Sequence, residues 1–198
     1  MPKQFSLLRR PELEAIPRER SLILFPVGIL EDHGTHLPLG SDGFEAEAVC
    51  FKLAERIEKE LPDHTVILMP PLWTAVEGAT SELALRTRPY VLRDWLVDTC
   101  RRLSDRGFLK FAAYSGTLGP RQTVALEEVE ALINRGWIYR LSTRRRFLAL
   151  NAPLAWRTRP SKSRVLHWSD EHAGSRDTSV MLALGKATDP SSLPSQEG

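Results

Sequence analysis

One segment of the chain concentrates side chains that can bind a cation. Glu31, His33, His36 and Asp42 follow directly after the apolar run from Ser21 to Val27. Carboxylate oxygens and neutral imidazole nitrogens are ligands of borderline divalent ions such as zinc, and a carboxylate can also bridge two such ions. The segment therefore predicts a metal site. The alternative is a local structural role, with the histidines as turn residues bonded to the backbone and Asp42 as a helix cap.

The apolar run that precedes these residues predicts how they are positioned. Because it is short, continuously apolar and ends at Gly28, it is typical of a strand buried on both faces of a parallel sheet. Ligands of such sheets bind beyond the carboxyl ends of the strands. Glu31 and His33 are two positions apart, so an extended chain would direct both side chains to the same side. Asp42 precedes a helical pattern from Phe44 to Lys59, where a carboxylate can serve as cap or ligand.

A second polar cluster lies near the carboxyl end of the sequence, between Trp168 and Ser179. It contains Glu171, His172 and Asp177 at the start of a predicted helix. Carboxylates in a first helical turn are favoured by the helix dipole, so a purely structural role for Glu171 and Asp177 is the alternative.

The two clusters resemble signatures of the creatininase family, also called creatinine amidohydrolase. The family signature P-x-G-x-x-E-x-H-G-x-H-L-P-L-x-x-D is matched by Pro26, Gly28, Glu31, His33, Gly34, His36, Leu37, Pro38, Leu39 and Asp42. The segment from 171 to 179 is similar to the family's E-H-A-G-x-x-E-T-S. The resemblance covers most of the chain in order and is strongest at these two places.

The resemblance implies a metal centre. Glu31, His33 and Asp42 fall on metal ligands of the family, with Asp42 bridging two divalent ions. Asp177 replaces a glutamate that contributes to the metal centre of many relatives, so the carboxylate is kept but is one methylene shorter.

The resemblance also implies catalytic and pocket residues. Glu171 and His172 fall on the acid/base pair of the family, and Trp168 falls on an aromatic residue that lines the substrate pocket. A closed homo-oligomer, often a hexamer, is the assembly that it implies.

The sequence departs from the family after the third predicted strand. The family carries N-G-H-G-G-N there, with a histidine that ligates metal, whereas this chain has S-G-T-L-G-P from Ser115 to Pro120. Thr117 therefore takes the place of the histidine in the pocket, and a hydroxyl is a poor substitute for imidazole at a zinc-type site. We expect an incomplete dinuclear centre. The options are a single ion held by Glu31, His33, Asp42 and Asp177, recruitment of His36 or His167, or no metal.

The reaction that the resemblance implies is metal-dependent hydrolysis of a C–N bond in a small cyclic or linear amide. A divalent ion, with zinc as first choice and manganese or iron as alternatives, activates water for attack on the carbonyl. Glu171 or His172 carries the proton to the leaving nitrogen. The alternative is a degenerate, non-catalytic subunit or binding protein with the same fold, which Thr117 and Asp177 favour. A nucleotide-binding protein is disfavoured because no G-x-G-x-x-G follows the first strand.

The composition of the chain bears on the number of domains, the binding partners and the location of the protein. The 198 residues are 42% hydrophobic and carry a net charge of +2, which fits one domain over residues 1–198 and indicates no nucleic-acid partner. Cys50 and Cys100 lack zinc-type spacing and are expected to be buried, reduced thiols. The first residues lack the apolar core of a signal peptide and no stretch has the length of a membrane span, so we expect a cytoplasmic protein. The tail from about residue 189 is expected to be disordered.

The hydrophobic periodicity predicts the fold class. Apolar runs predict strands over residues 21–27, 65–71, 107–114 and 146–151, and helical spacing predicts helices over 44–59, 90–106, 120–134 and 171–184. This alternation predicts an α/β protein, a three-layer α/β/α sandwich around a mostly parallel sheet, which is also the creatininase-like fold.

Overall fold

A computed structural model of the protein describes residues 2–78, 83–117, 119–135, 146–151 and 172–186. Its strands are β1 (Lys3–Gln4), β2 (Ser21–Gly28), β3 (Thr65–Leu68), β4 (Leu72–Trp73), β5 (Lys110–Ser115) and β6 (Arg146–Asn151). Its helices are α1 (Arg10–Glu14), α2 (Ser41–Glu60), α3 (Pro89–Ser104), α4 (Pro120–Arg135) and α5 (Ser175–Ala183), with short 3₁₀ turns at Phe5–Leu7 and Arg18–Arg20.

The strands form one parallel sheet with β2 at its centre. The order is β1-β3-β2-β5-β6, and β4 pairs with the last residues of β2. β2 pairs with β3 from Ser21 to Leu24 and with β5 from Ile23 to Val27. The carboxyl end of β2 therefore lies between neighbouring strands, at the edge of the sheet where parallel α/β proteins bind ligands.

Alternate residues of β2 are buried on opposite faces of the sheet. Ile23, Phe25 and Val27 belong to a core that also contains residues of α3 and α4, whereas Leu24 belongs to a second core with residues of α2. Because successive side chains of a strand point to opposite faces, the continuous apolar run requires helices on both sides. The predicted α/β/α sandwich is confirmed.

The largest difference from the predicted elements is at the last helix. The sequence pattern predicts a helix from residue 171, whereas α5 begins at Ser175. Ala173 has a φ of 56°, in the left-handed region, and its N–H donates a hydrogen bond to the Asp177 carboxylate at 2.9 Å. The left-handed backbone of Ala173 interrupts the helical conformation directly before the N-cap residue Gly174, so the helix does not extend back to His172. The predicted tail from about residue 189 lies outside the described residues.

The strands β1 and β4 are not predicted from sequence, because two residues are too few to show a periodicity.

Among the helices that the structure describes, none combines the length and the apolar character that crossing a lipid bilayer requires.

The two cysteines are buried and free, in separate cores on opposite faces of the sheet. Burial raises the pKa of Cys50 to about 12 and also raises the pKa of Cys100. Because the thiolate is the reactive form, we expect both thiols to react with a disulfide reagent about 100-fold more slowly in the native protein than in guanidinium chloride. A thiol that reacts rapidly under native conditions would contradict this expectation.

Candidate metal centre

The site is built where β2, β5 and α2 approach each other closely. A Cβ atom on Gly28, at the end of β2, would lie 2.3 Å from the backbone nitrogen of Gly43 in α2. A Cβ atom on Gly116, just after β5, would lie 2.2 Å from the backbone oxygen of Asp42. Only glycine permits these backbone approaches, which bring the first turn of α2 against the ends of two strands. Asp42 is thereby placed at the carboxyl edge of the sheet.

Thr117 fixes the carboxylate of Asp42. Its hydroxyl donates a hydrogen bond of 2.6 Å to Asp42 Oδ2 and accepts one of 3.0 Å from the backbone N–H of Ile29. The residue is buried. Thr117, which the sequence predicts to line the substrate pocket, thus links Ile29, directly after β2, to Asp42 in the first turn of α2.

His33 lies beside the other oxygen of Asp42. The imidazole is fully buried, with Nε2 3.1 Å from Asp42 Oδ1 and Nδ1 3.1 Å from the backbone carbonyl of Glu31. Burial of the ring opposes its protonation, but the hydrogen bond and charge of Asp42, with a smaller contribution from Glu31, raise the pKa of His33 to about 9. This point of the protein therefore favours a positive charge.

His172 reaches the same point from the segment before α5. Its ring centroid is 4.6 Å from that of His33. Its Nε2 lies 2.7 Å from the backbone carbonyl of Asp32, and its Nδ1 lies 3.8 Å from Glu31 Oε1. At 43% exposure, the His172 side chain opens the group to solvent, whereas those of Glu31 and His33 are buried.

Two successive backbone carbonyls set the orientation of these imidazoles. Because a carbonyl oxygen only accepts, His33 donates its Nδ1–H to Glu31 and His172 donates its Nε2–H to Asp32. In neutral His172 the lone pair of Nδ1 is then left for another partner, whereas His33 Nε2 faces Asp42 Oδ1 at 3.1 Å, so a cation there would replace the proton between these two atoms. Metal-binding histidines are typically oriented in this way by a hydrogen bond of the other ring nitrogen.

Three side chains that could bind a metal ion lie close together. Each of Glu31, His33 and His172 offers one potential ligand atom, and these atoms all lie within 4.8 Å of one another. One carboxylate and two imidazoles form a donor set that suits zinc and other borderline divalent ions. The residues therefore fit a single ion.

Asp177 lies close to this group but outside it. One of its oxygens accepts the N–H of Ala173 at 2.9 Å and the other lies 3.0 Å from Nη1 of Arg176. Burial raises the pKa of Asp177, and the negative charge of Asp42 acts in the same direction, whereas Arg176 and His33 oppose the shift. The short side chain is thus engaged at the start of α5.

The remaining predicted residues are placed elsewhere or not described. His36, a candidate replacement ligand, is buried with its Nε2 2.9 Å from the Thr178 hydroxyl, so it joins the first loop to α5. Glu171, Trp168 and His167 lie outside the described residues.

Sequence reasoning missed a buried polar group that adjoins the site. Glu45 of α2 is buried, accepts a hydrogen bond of 3.1 Å from the Tyr114 hydroxyl and pairs with Arg176. A carboxylate directly before the buried apolar position Ala46 of α2 is the signal that could have indicated it.

Replacement of Thr117 by valine tests its role as the anchor of Asp42. The change keeps the shape of the side chain but leaves Asp42 Oδ2 and the Ile29 N–H without this partner, so we expect the free energy of unfolding to fall by about 2 kcal/mol. Thr117→Ser keeps the hydroxyl and is expected to lose less than half of that amount. Denaturant titration of the two variants measures the difference, and equal losses would show that the hydroxyl contributes little.

Comparison with solved structures shows where this fold occurs. A structure described as creatininase Mn has a TM-score of 0.78 at 23% identity and covers 100% of this chain and 79% of its own. A glutamate-to-glutamine mutant creatininase complexed with creatine has a TM-score of 0.77 at 23% identity, with 100% and 82% covered. A Zn-Zn type of that mutant has a TM-score of 0.75 at 22% identity, again with 100% and 82% covered. At this identity the likeness shows a shared fold.

Comparison at the sequence level assigns the family. Comparison with curated protein sequences finds no match. The sequence profile of the family named creatininase, described as creatinine amidohydrolase, matches residues 6–188, which is nearly the whole chain. The chain therefore belongs to the creatininase family.

Proposed function

We propose that the protein is a metal-dependent amidohydrolase that cleaves a C–N bond in a small cyclic or linear amide, using a single divalent ion. The observation that carries the proposal is the convergence of Glu31, His33 and His172, whose ligand atoms lie within 4.8 Å of one another. Zinc is the first choice of ion, since this donor set suits it, and manganese is the second. Forms with these two metals are named among the solved relatives.

In this proposal the side chains of Glu31, His33 and His172 would hold the ion. When bound, the ion supplies Lewis-acid chemistry, which polarises the amide carbonyl and stabilises negative charge on its oxygen. Asp42 Oδ1 lies 3.1 Å from His33 Nε2 and adds a second negative charge, so a cation bound at Nε2 would take the place of the proton between these two atoms. The hydrogen bonds to the backbone carbonyls of Glu31 and Asp32 would orient both imidazoles so that His33 Nε2 and His172 Nδ1 could bind the ion.

The proton that the leaving nitrogen requires is assigned to Glu171. The sequence gives Glu171 and His172 as candidate proton carriers, and this proposal uses His172 as a metal ligand. The substrate approaches from the side of His172, which is the exposed member of the group. Trp168 is the proposed aromatic wall of the substrate pocket.

A non-catalytic member of the family is the second candidate function. The observation that favours it is the hydrogen bonding of Asp42, because Thr117 occupies Oδ2 and His33 contacts Oδ1. A carboxylate engaged on both oxygens is poorly prepared to bridge two ions. The protein would then keep the fold and bind a small molecule without hydrolysing it.

Metal content and turnover together separate the two candidates. Protein purified without chelator is expected to contain about one zinc or manganese ion per chain by elemental analysis. Hydrolysis is then measured on a panel of small cyclic and linear amides that begins with creatinine, before and after removal of metal by a chelator. The proposal predicts that hydrolysis is lost with the ion and restored when the ion is added back. Absence of any bound ion after reconstitution would favour the non-catalytic member.

A further inference from the structure

We propose that Arg176 is a positioning residue, which holds His172 in the donor group through a partly buried ion pair with Glu45. The inference rests on the proposed function, because it concerns the geometry of the same metal centre. It assigns a role to three side chains outside the donor group, namely Tyr114, Glu45 and Arg176.

The network connects three elements of the fold. The Nη2 atom of Arg176 in α5 pairs with Glu45 Oε1 in α2 at 2.5 Å, and the same oxygen accepts a hydrogen bond from the Tyr114 hydroxyl in β5. The Nη1 atom of Arg176 lies 3.0 Å from Asp177 Oδ1. One guanidinium therefore bonds two carboxylates at once, through donors that its planar fork holds in fixed directions, whereas a lysine ammonium has no such fork.

The two carboxylates that Arg176 contacts are buried, so the loss of these contacts is costly. Glu45 and Asp177 are both buried, and burial raises the pKa of each of them, while the charge of Arg176 opposes that shift. A buried carboxylate that loses its partner is strongly disfavoured. The first turn of α5 is thus held where Arg176 can reach both acids.

The position of this turn determines the position of His172. Asp177, fixed by Arg176, accepts the N–H of Ala173, the residue that follows His172. Ala173 itself has a left-handed φ of 56°, a conformation that costs energy in a residue with a side chain and requires support from its surroundings. Contacts therefore run without a gap from Glu45 through Arg176, Asp177 and Ala173 to the imidazole that faces Glu31.

The network is chemically separate from the donors. Neither Glu45 nor Arg176 belongs to the group of Glu31, His33 and His172. Loss of the positive charge of Arg176 would by itself strengthen the binding of a nearby cation, so weaker binding in its variants reports a change in the placement of His172. This separation allows the effect on metal binding to be distinguished from the effect on stability.

The experiment uses Co²⁺ as the probe, because its visible absorption reports the number and geometry of its ligands. Arg176→Gln is expected to weaken Co²⁺ binding about tenfold, as changes in residues that orient ligands do, to change the absorption spectrum and to lower the melting temperature. The double variant Glu45→Gln with Arg176→Gln removes the buried charge that Arg176→Gln leaves unpaired on Glu45, so its melting temperature is expected to recover in part. Its Co²⁺ affinity is expected to stay low, since Asp177 still lacks its arginine partner.

The control is Arg56→Gln, which removes an exposed ion pair with Glu60 on the same helix as Glu45. It is expected to leave Co²⁺ affinity and spectrum unchanged. An Arg176→Gln variant with the affinity and spectrum of the wild type would overturn the inference. So would a double variant that recovers Co²⁺ affinity together with its melting temperature, because Arg176 would then contribute stability alone. Failure of the wild-type protein to bind Co²⁺ is a different result, which would overturn the proposed function.

Discussion

Replacement of His33 by alanine is expected to lower the affinity for Zn²⁺ or Co²⁺ by about 100-fold or more, which corresponds to roughly 2.7 kcal/mol. The variant removes a donor nitrogen that the structure places against Asp42 and within reach of Glu31 and His172. Changes to residues that only orient metal ligands already cost 10- to 100-fold in affinity, so loss of a ligand is expected to cost at least as much. Isothermal titration calorimetry on metal-free protein measures the effect.

His64 provides the matched control for this variant. It is a histidine that lies outside the donor group, and its buried Nδ1 has no hydrogen-bond partner among the described residues. His64→Ala is expected to bind the ion with wild-type affinity. Metal binding that survives in His33→Ala, in protein that remains folded by circular dichroism, would exclude His33 as a ligand.

Replacement of Gly116 by alanine is expected to cause the largest loss of stability. The new Cβ atom would lie 2.2 Å from the backbone oxygen of Asp42, and Gly116 is held in place by a hydrogen bond of 2.9 Å from its N–H to the carbonyl of Val27. Either the end of β5 or the first turn of α2 must move. Overpacking of this kind costs about 3 kcal/mol. For a chain of this length, the melting temperature would then fall on the order of 10 °C.

Gly185→Ala separates this crowding from the general cost of losing a glycine. Gly185 has a φ of +63°, but a Cβ atom there would meet nothing within 4 Å. We therefore expect a cost of about 1 kcal/mol, due to the left-handed backbone alone. Calorimetric melting of both variants gives the comparison. If Gly116→Ala were no more destabilising than Gly185→Ala, the close approach of β5 to α2 would be in doubt.

The central strand and its site-bearing end could be predicted from local sequence. The run of β2 is continuously apolar because both faces of the strand are covered, and such a run ends where the polar residues of a parallel sheet gather. The helical spacing of α2, α3 and α4 is equally local. The family follows from two long signatures, which the sequence profile confirms over residues 6–188.

The detailed geometry of the site could not be predicted in this way. The carbonyls of Glu31 and Asp32 orient both imidazoles, but backbone groups leave no trace in residue identities. Thr117 is visible in the sequence as a departure from the family, yet its hydrogen bond with Asp42 depends on the approach permitted by Gly116. The pairing of Glu45 with Arg176 joins residues that are far apart in the chain and that carry no motif.

Other sequence-based expectations concern the chain beyond its described fold. The single domain over residues 1–198 and the closed homo-oligomer stay predictions. The role of Glu171 as the proton carrier is a proposal that follows from its place in the second signature.

The convergence of Glu31, His33 and His172 on one cation is tested most directly by anomalous X-ray scattering from crystals grown with Zn²⁺. Data collected above and below the zinc absorption edge are expected to show one peak, about 2 Å from His33 Nε2 and His172 Nδ1 and in contact with the Glu31 carboxylate. A crystal that binds zinc only at other residues, or that shows no anomalous peak at this group, would contradict the account.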